Sequence, residues 1–103
     1  MNKNSLFEST GIKMKVIQEI LQLAKTNSVK KVVLFGSRAR GDYKERSDID
    51  LAFQGGNSSR FILDVDEETS TLLEFDIVDM DRDMQDALRE SIRREGKILF
   101  EKV

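Results

Sequence analysis

The sequence predicts a small α/β (α+β) domain in which a mixed β-sheet carries helices packed on one side. Three observations predict it. Short apolar runs typical of strands alternate with amphipathic stretches typical of helices, and glycine-rich or polar turns separate the two. The chain has 103 residues, 39% of them hydrophobic and 35% charged. That length and balance suit one core, so residues 1–103 are predicted to form a single domain.

The chain is predicted to begin with a helix and a buried strand. Residues 1–11 are mostly polar and are expected to form a loosely packed, flexible arm, with Thr10 a candidate cap for the helix that follows. From Ile12 to Ala24 apolar residues recur every three or four positions, which indicates a core-facing helix. Residues 29–35 end in an unbroken apolar run, which predicts a strand covered on both faces.

This first strand ends abruptly at Gly36-Ser37. Glycine permits a sharp turn and lets backbone N–H groups approach an anion closely, which is a common way to bind a triphosphate. Residues 37–40 are expected to start a short helix whose first N–H groups point to the same place, and Gly41 is expected to end it.

Two acids lie on the second predicted strand, residues 48–53. Acidic or small residues alternate there with large apolar ones. Because successive side chains of a strand point to opposite faces, Asp48 and Asp50 are expected on one face and the apolar residues on the other. Two carboxylates would then lie side by side above a buried sheet.

The second half of the chain predicts a helix, a strand, a helix and a strand. Residues 60–71 fit both a strand and a helix, and a helix is favoured because Glu67 and Glu68 are poor strand residues. Residues 73–79 alternate as a third strand, with Asp76 on its polar side. Asp81 or Asp83 is expected to cap the last helix, Gly96 to end it, and residues 97–101 to form a final or edge strand.

Composition excludes several kinds of site. The sequence contains no Cys and no His, which removes zinc fingers, thiol nucleophiles and Ser-His-Asp triads. Any metal must be bound by oxygen, which favours Mg²⁺ or Mn²⁺, with Ca²⁺ a third candidate. The formal charge of −2 argues against indiscriminate binding to nucleic acid. With neither an 18-residue apolar run nor a signal-like start, the protein is expected to be cytoplasmic and to bind no membrane.

Three carboxylates are candidates for one site: Asp48, Asp50 and Asp76. If their strands are neighbours, Asp76 is expected within roughly 5–8 Å of the other two. Acids that close repel one another unless cations neutralise them, and two Mg²⁺ ions would do so. Asp79 has the wrong parity to share their face. Each feature alone is more often an ordinary turn or a surface acid, but their joint arrangement is difficult to explain by chance.

Three stretches of the chain resemble the DNA polymerase beta-like nucleotidyltransferase superfamily. They are Gly36 to Gly41 (GSRARG), Ser47 to Leu51 (SDIDL) and Phe75 to Val78 (FDIV). The resemblance extends from about the first helix to the last strand and implies the polymerase beta-like fold. Within the superfamily, the short chain is similar to the minimal nucleotidyltransferases (MNT).

The resemblance implies a role for each matching residue. Gly36 and Ser37 would contact the triphosphate of ATP. Asp48 and Asp50 would bind both metal ions, and Asp76 would complete the site as metal ligand and activator of the acceptor hydroxyl. The implied reaction moves AMP from ATP to an acceptor, with two Mg²⁺ (or Mn²⁺) ions and release of pyrophosphate.

Basic residues of the loop between the first two strands could neutralise triphosphate charge through hydrogen bonds. They are Arg38, Arg40, Lys44 and Arg46. Each of them alone is more often a solvated loop cation. Arg38 is the first choice and joins Gly36 and Ser37 as a predicted nucleotide-binding residue.

The resemblance also implies a partner. Minimal nucleotidyltransferases, here the MntA-type antitoxins, typically pair with a small helical HEPN protein in a toxin–antitoxin module. The chain is therefore expected to add AMP to a tyrosine of a HEPN ribonuclease toxin and to form a hetero-oligomer with it, without direct DNA binding.

Two other functions stay open at this point. One is a non-catalytic antitoxin that blocks its partner by binding alone. The other is a small-molecule nucleotidyltransferase of the antibiotic-modifying type, which would usually need an added domain to hold its substrate.

Overall fold

The computed structural model describes residues 9–102. It contains, in chain order, α1 (Met14–Thr26), β1 (Lys31–Phe35), α2 (Gly36–Arg40), β2 (Ile49–Gln54), α3 (Ser58–Glu68), β3 (Phe75–Asp79), α4 (Asp86–Glu95) and β4 (Lys97–Glu101). The strands form one mixed sheet in the order β3-β2-β1-β4. The predicted fold class is confirmed, and the predicted strand ends differ from the observed ones by no more than two residues.

Strand pairing brings the ends of β1, β2 and β3 together. β1 and β2 are antiparallel, with Phe35 opposite Asp50. β2 and β3 are parallel, with Asp50 opposite Asp76. β4 pairs antiparallel with the other side of β1. The register therefore places the last residue of β1 beside one acid, and that acid beside another.

The main core lies between the sheet and the two helices α1 and α3. Val16, Ile17, Ile20 and Ala24 are the buried stripe of α1, which confirms the helical periodicity. Phe61 and Val65 of α3 complete this layer over Leu34, Leu51 and other apolar residues of the central strands. Residues 58–68 thus form the favoured helix and not the alternative strand.

The helix α4 lies on the opposite face of the sheet, so the prediction that all helices pack on one side is wrong. Its residue Ile92 joins Val33, Phe35 and Ala52 in a second, smaller cluster. This arrangement covers β1 on both faces, as its continuous apolar run predicts. Since Asp50 alternates with Ile49 and Leu51 and shares the parity of Ala52, it lies on the α4 face.

Two predicted caps are wrong. The N-cap of α1 is Lys13 and makes no side-chain capping bond, whereas the Thr10 hydroxyl accepts from the Ile12 N–H at 3.2 Å. The N-cap of α4 is Gln85, also without a side-chain bond. Asp81 instead accepts from the Gly55 N–H at 3.0 Å and so fixes the loop after β2.

The predicted flexible arm, residues 1–11, lies mostly outside the described residues. Its last part, residues 9–11, forms a turn in which Thr10 is fully buried. Within residues 9–102, no helix combines the length and the hydropathy that crossing a bilayer requires.

Candidate active site

The turn from β1 into α2 lies directly against an acid of β2. Gly36 has φ +75°, a conformation that L side chains rarely adopt. A Cβ built on Gly36 would collide with the carboxylate of Asp50. Glycine at this position therefore allows the sharp turn that was predicted at Gly36-Ser37. It also leaves space for the Asp50 carboxylate.

The three predicted acids lie at the same end of neighbouring strands. Asp50 and Asp76 are each the second residue of their strand and are paired across β2 and β3. Adjacent strands are about 4.8 Å apart, so their side chains are neighbours. Asp48 is exposed just before β2, Asp76 is exposed, and Asp50 is half-buried. The second and third strands are therefore neighbours, which is the condition under which Asp76 was expected near the other two acids.

The pKa of Asp50 depends on its burial and on the charged residues around it. The pKa of Asp50 is raised from 3.8 to about 6, chiefly by burial and in addition by the nearby carboxylates of Asp76 and Asp48. Arg40 acts against them and lowers that pKa. A carboxylate surrounded by like charge binds a cation readily, because a cation relieves both the repulsion and the loss of hydration.

The donor set fits a hard divalent cation. Asp48, Asp50 and Asp76 offer carboxylate oxygens, the ligands that Mg²⁺ and Mn²⁺ prefer. Among residues 9–102, however, no three acidic side chains are already gathered closely enough to enclose one ion. Ion binding would therefore have to draw exposed carboxylates toward the half-buried Asp50.

Arg38 has a different position from the one predicted. Its side chain is 1% exposed. Its guanidinium donates to three backbone carbonyls: Thr10 O at 2.9 Å, Glu45 O at 3.0 Å and Ser47 O at 3.0 Å. The ring of Tyr43 lies under it, with its centroid 4.7 Å from Cζ. A guanidinium buried in this way is inaccessible to a triphosphate, and we do not place Arg38 in the nucleotide site.

Arg38 instead shapes the loop that carries Asp48. Two of its acceptors, Glu45 and Ser47, belong to that loop. Within the loop the Ser47 hydroxyl accepts from the Lys44 N–H at 2.8 Å, and the Ser47 N–H donates to Lys44 O at 3.0 Å. The bonds to Arg38 and the tight turn together fix the approach of the chain to Asp48.

Arg40 is the cation whose charge acts on Asp50. It is exposed and donates to Asp42 at 3.2 Å and to Glu95 of α4 at 3.1 Å. These two carboxylates raise the pKa of Arg40. The sequence places Arg40 among four loop cations but gives no sign of Glu95, which is 55 positions further along the chain.

Comparison with known proteins identifies the family of the chain. The model of the family described as "Polymerase beta, Nucleotidyltransferase" matches residues 16–103. A protein of Methanocaldococcus jannaschii named "Putative protein adenylyltransferase" is 39% identical over 67 residues. That match covers 62% of this chain and 65% of the relative, so the chain spans slightly less than two thirds of its length.

Solved structures have the same fold. The crystal structure of a toxin-antitoxin with AMP-PNP superposes with a TM-score of 0.67 at 25% identity, over 84% of this chain and 73% of that chain. A variant of the toxin-antitoxin MntA-HpeT superposes with a TM-score of 0.63 at 25% identity, over 82% of this chain and 72% of that chain.

Proposed function

Because the chain belongs to the polymerase beta nucleotidyltransferase family, we propose that it transfers AMP from ATP to a hydroxyl group of a partner protein. The observation that carries the proposal is the contact between the Gly36 turn and Asp50, with Asp76 paired beside it. This contact joins an anion-binding turn to a cation-binding cluster, and a nucleotide with divalent cations requires both.

The nucleotide would lie at the turn between β1 and α2. Backbone N–H groups of Gly36 and Ser37 would hold the triphosphate, since a glycine turn lets the main chain approach phosphate oxygens. Arg40 would replace Arg38 as the cation closest to the phosphates, since it is exposed and acts electrostatically on Asp50.

The three acids would bind the metal ions and accept the proton of the acceptor. Asp48, Asp50 and Asp76 would hold two Mg²⁺ or Mn²⁺ ions. When bound, these ions supply positive charge at the phosphate that is attacked. Asp76, on the edge strand, would accept the proton of the acceptor hydroxyl as its oxygen bonds to the α-phosphorus. The bond between that phosphorus and the β-phosphate breaks, and pyrophosphate leaves.

We propose a HEPN-family toxin as the acceptor, with a tyrosine as the modified residue and the chain as its antitoxin. Two observations support this: the fold is shared with toxin-antitoxin structures, one with AMP-PNP, and a relative is named as a protein adenylyltransferase. The acceptor itself follows from the family resemblance. Such a module would act in the cytoplasm, where its donor ATP is available.

The direct test combines the full chain, Mg²⁺, α-labelled ATP and the product of the adjacent gene, which we expect to be the HEPN-type partner. We expect label on a tyrosine of the partner, located by mass spectrometry, and release of pyrophosphate. Asp48→Asn and Asp50→Asn should each abolish transfer. A partner that gains no nucleotide from the wild-type chain would contradict the proposed reaction.

A second function is favoured by one observation. Because no three acidic side chains of residues 9–102 are gathered around a single point, the chain could silence its partner by binding without catalysis. The Asp48→Asn/Asp50→Asn double variant separates the two functions. A binding antitoxin would still neutralise the partner's ribonuclease activity when it carries both substitutions, whereas an enzyme would not.

A further inference from the structure

A groove runs from Asp48 toward the start of α1. It consists of two cavities in series, with volumes of about 570 Å³ and about 630 Å³. Glu45, Leu72 and Leu73 line both cavities, and Asp48 lines the first. Because the two cavities share these residues, the groove is elongated and ends at a proposed catalytic acid.

Both walls of this groove are held by hydrogen bonds. One wall is the loop that carries Glu45, whose carbonyl accepts from the buried Arg38. The other wall is the segment before β3. Its Ser70 donates through N–H and hydroxyl to one carboxylate oxygen of Glu19, at 2.9 and 3.0 Å, and the Leu73 N–H donates to the Thr71 hydroxyl at 3.1 Å. The groove is thus formed before any ligand binds.

The lining indicates which ligand the groove can hold. Next to Asp48 lie two further carboxylates, Glu45 and Glu74, with one cation, Arg46. This excess of negative charge disfavours the phosphates of a nucleotide. At the far end Lys13 and Lys15 line the groove. Between the two ends Leu72 is fully exposed.

We propose that this groove is the acceptor groove, which binds an extended segment of the protein that receives AMP. The inference rests on the proposed function and adds the surface through which the acceptor is recognised. The acceptor hydroxyl would lie at the Asp48 end, an apolar side chain of the same segment would cover Leu72, and an acidic residue further along would meet Lys13 and Lys15.

An extended polypeptide suits these features better than a small molecule. Side chains along an extended segment occupy successive positions, so one segment can fill two cavities in series and meet charge and apolar surface in turn. The groove also reaches Asp48, one of the proposed catalytic acids, so a segment bound in it would bring its hydroxyl to that edge of the site.

The test uses Leu72→Glu in the full chain, with the HEPN-type partner as acceptor. Because Leu72 is fully exposed, this change should leave folding intact. We expect the KM for the partner to rise about tenfold while the KM for ATP changes less than about twofold. Leu63→Glu is the matched control, since Leu63 is 48% exposed on α3 and lines a different cavity. It should leave both constants unchanged.

The outcomes separate the two proposals. If the wild-type chain transfers no AMP at all, the proposed function fails. If it transfers AMP and Leu72→Glu behaves like Leu63→Glu, the acceptor groove is overturned while the function stands.

A photo-crosslinking amino acid at position 72 of the full chain identifies the occupant. A crosslink to the partner segment that contains the modified tyrosine supports the proposal. A crosslink to the chain's own residues 1–8, or to a second copy of the chain, overturns it.

Discussion

Replacing Arg38 with alanine removes three hydrogen bonds, two to the loop that carries Asp48 and one to the Thr10 carbonyl before α1. Hydrogen bonds from a charged donor contribute about 1.5–3 kcal/mol each. The acceptors Glu45 O and Ser47 O are only partly buried and can turn toward water, whereas Thr10 O is buried. We therefore expect a loss of about 3–5 kcal/mol of unfolding free energy, below the simple sum of three bonds. For a domain of this size, the loss corresponds to a fall in Tm of at least about 12 °C.

Urea unfolding followed by circular dichroism measures this loss directly. The control is Arg40→Ala, because Arg40 lies two residues away in the same short helix but is exposed, and its removal should change the unfolding free energy little. Arg38→Lys should be intermediate, since an ammonium keeps the charge without the planar fork. If Arg38→Ala is no less stable than Arg40→Ala, the supporting role that we assign to Arg38 is refuted.

Two further predictions concern Asp50 and its neighbours. Gly36→Ala and Gly41→Ala both place a side chain at positive φ, at +75° and +93°, but only the first new Cβ meets the Asp50 carboxylate. Gly36→Ala should therefore abolish AMP transfer while Gly41→Ala keeps it, and equal activities in a transfer assay would contradict this. Because the pKa of Asp50 is raised to about 6 in the folded chain from 3.8, its contribution to stability is present in full below the lower value and lost as pH rises through the higher one. The stability of the wild type relative to Asp50→Asn should accordingly fall between about pH 4 and pH 7 in urea titrations, and a rise would show that the sign is wrong.

Much of the fold could be predicted from local patterns. The apolar stripe of α1 and the apolar run of β1 each predicted the correct element. The reason is that the spacing of apolar residues along the chain reflects which side chains are buried. Glu67 and Glu68 favoured a helix over a strand, and both lie exposed in the last turn of α3. The face on which α4 packs could not be predicted, because an amphipathic stripe looks the same whichever side of the sheet it covers.

Those features of the candidate site that depend on neighbouring residues in the sequence could be predicted. The Gly36 turn follows from the end of an apolar run, and the pairing of Asp50 with Asp76 follows once their strands are neighbours. The burial of Arg38 was not predictable, because its three acceptors are backbone carbonyls that no side-chain pattern records. An arginine next to a glycine turn is equally typical of a phosphate-binding loop. The local sequence therefore gave no sign that Arg38 is buried while Arg40 is exposed.

The order of strands in the sheet divides the site into two parts that differ in how easily they unfold locally. Gly36, Asp48 and Asp50 belong to the central antiparallel pair and its connection, whereas Asp76 lies on β3 at the margin of the described sheet. Marginal strands open more easily than central ones. If the chain acts as proposed, a transient detachment of β3 would remove Asp76 from the site while the part that would bind the triphosphate stays folded. AMP transfer would then be lost under milder conditions than nucleotide binding.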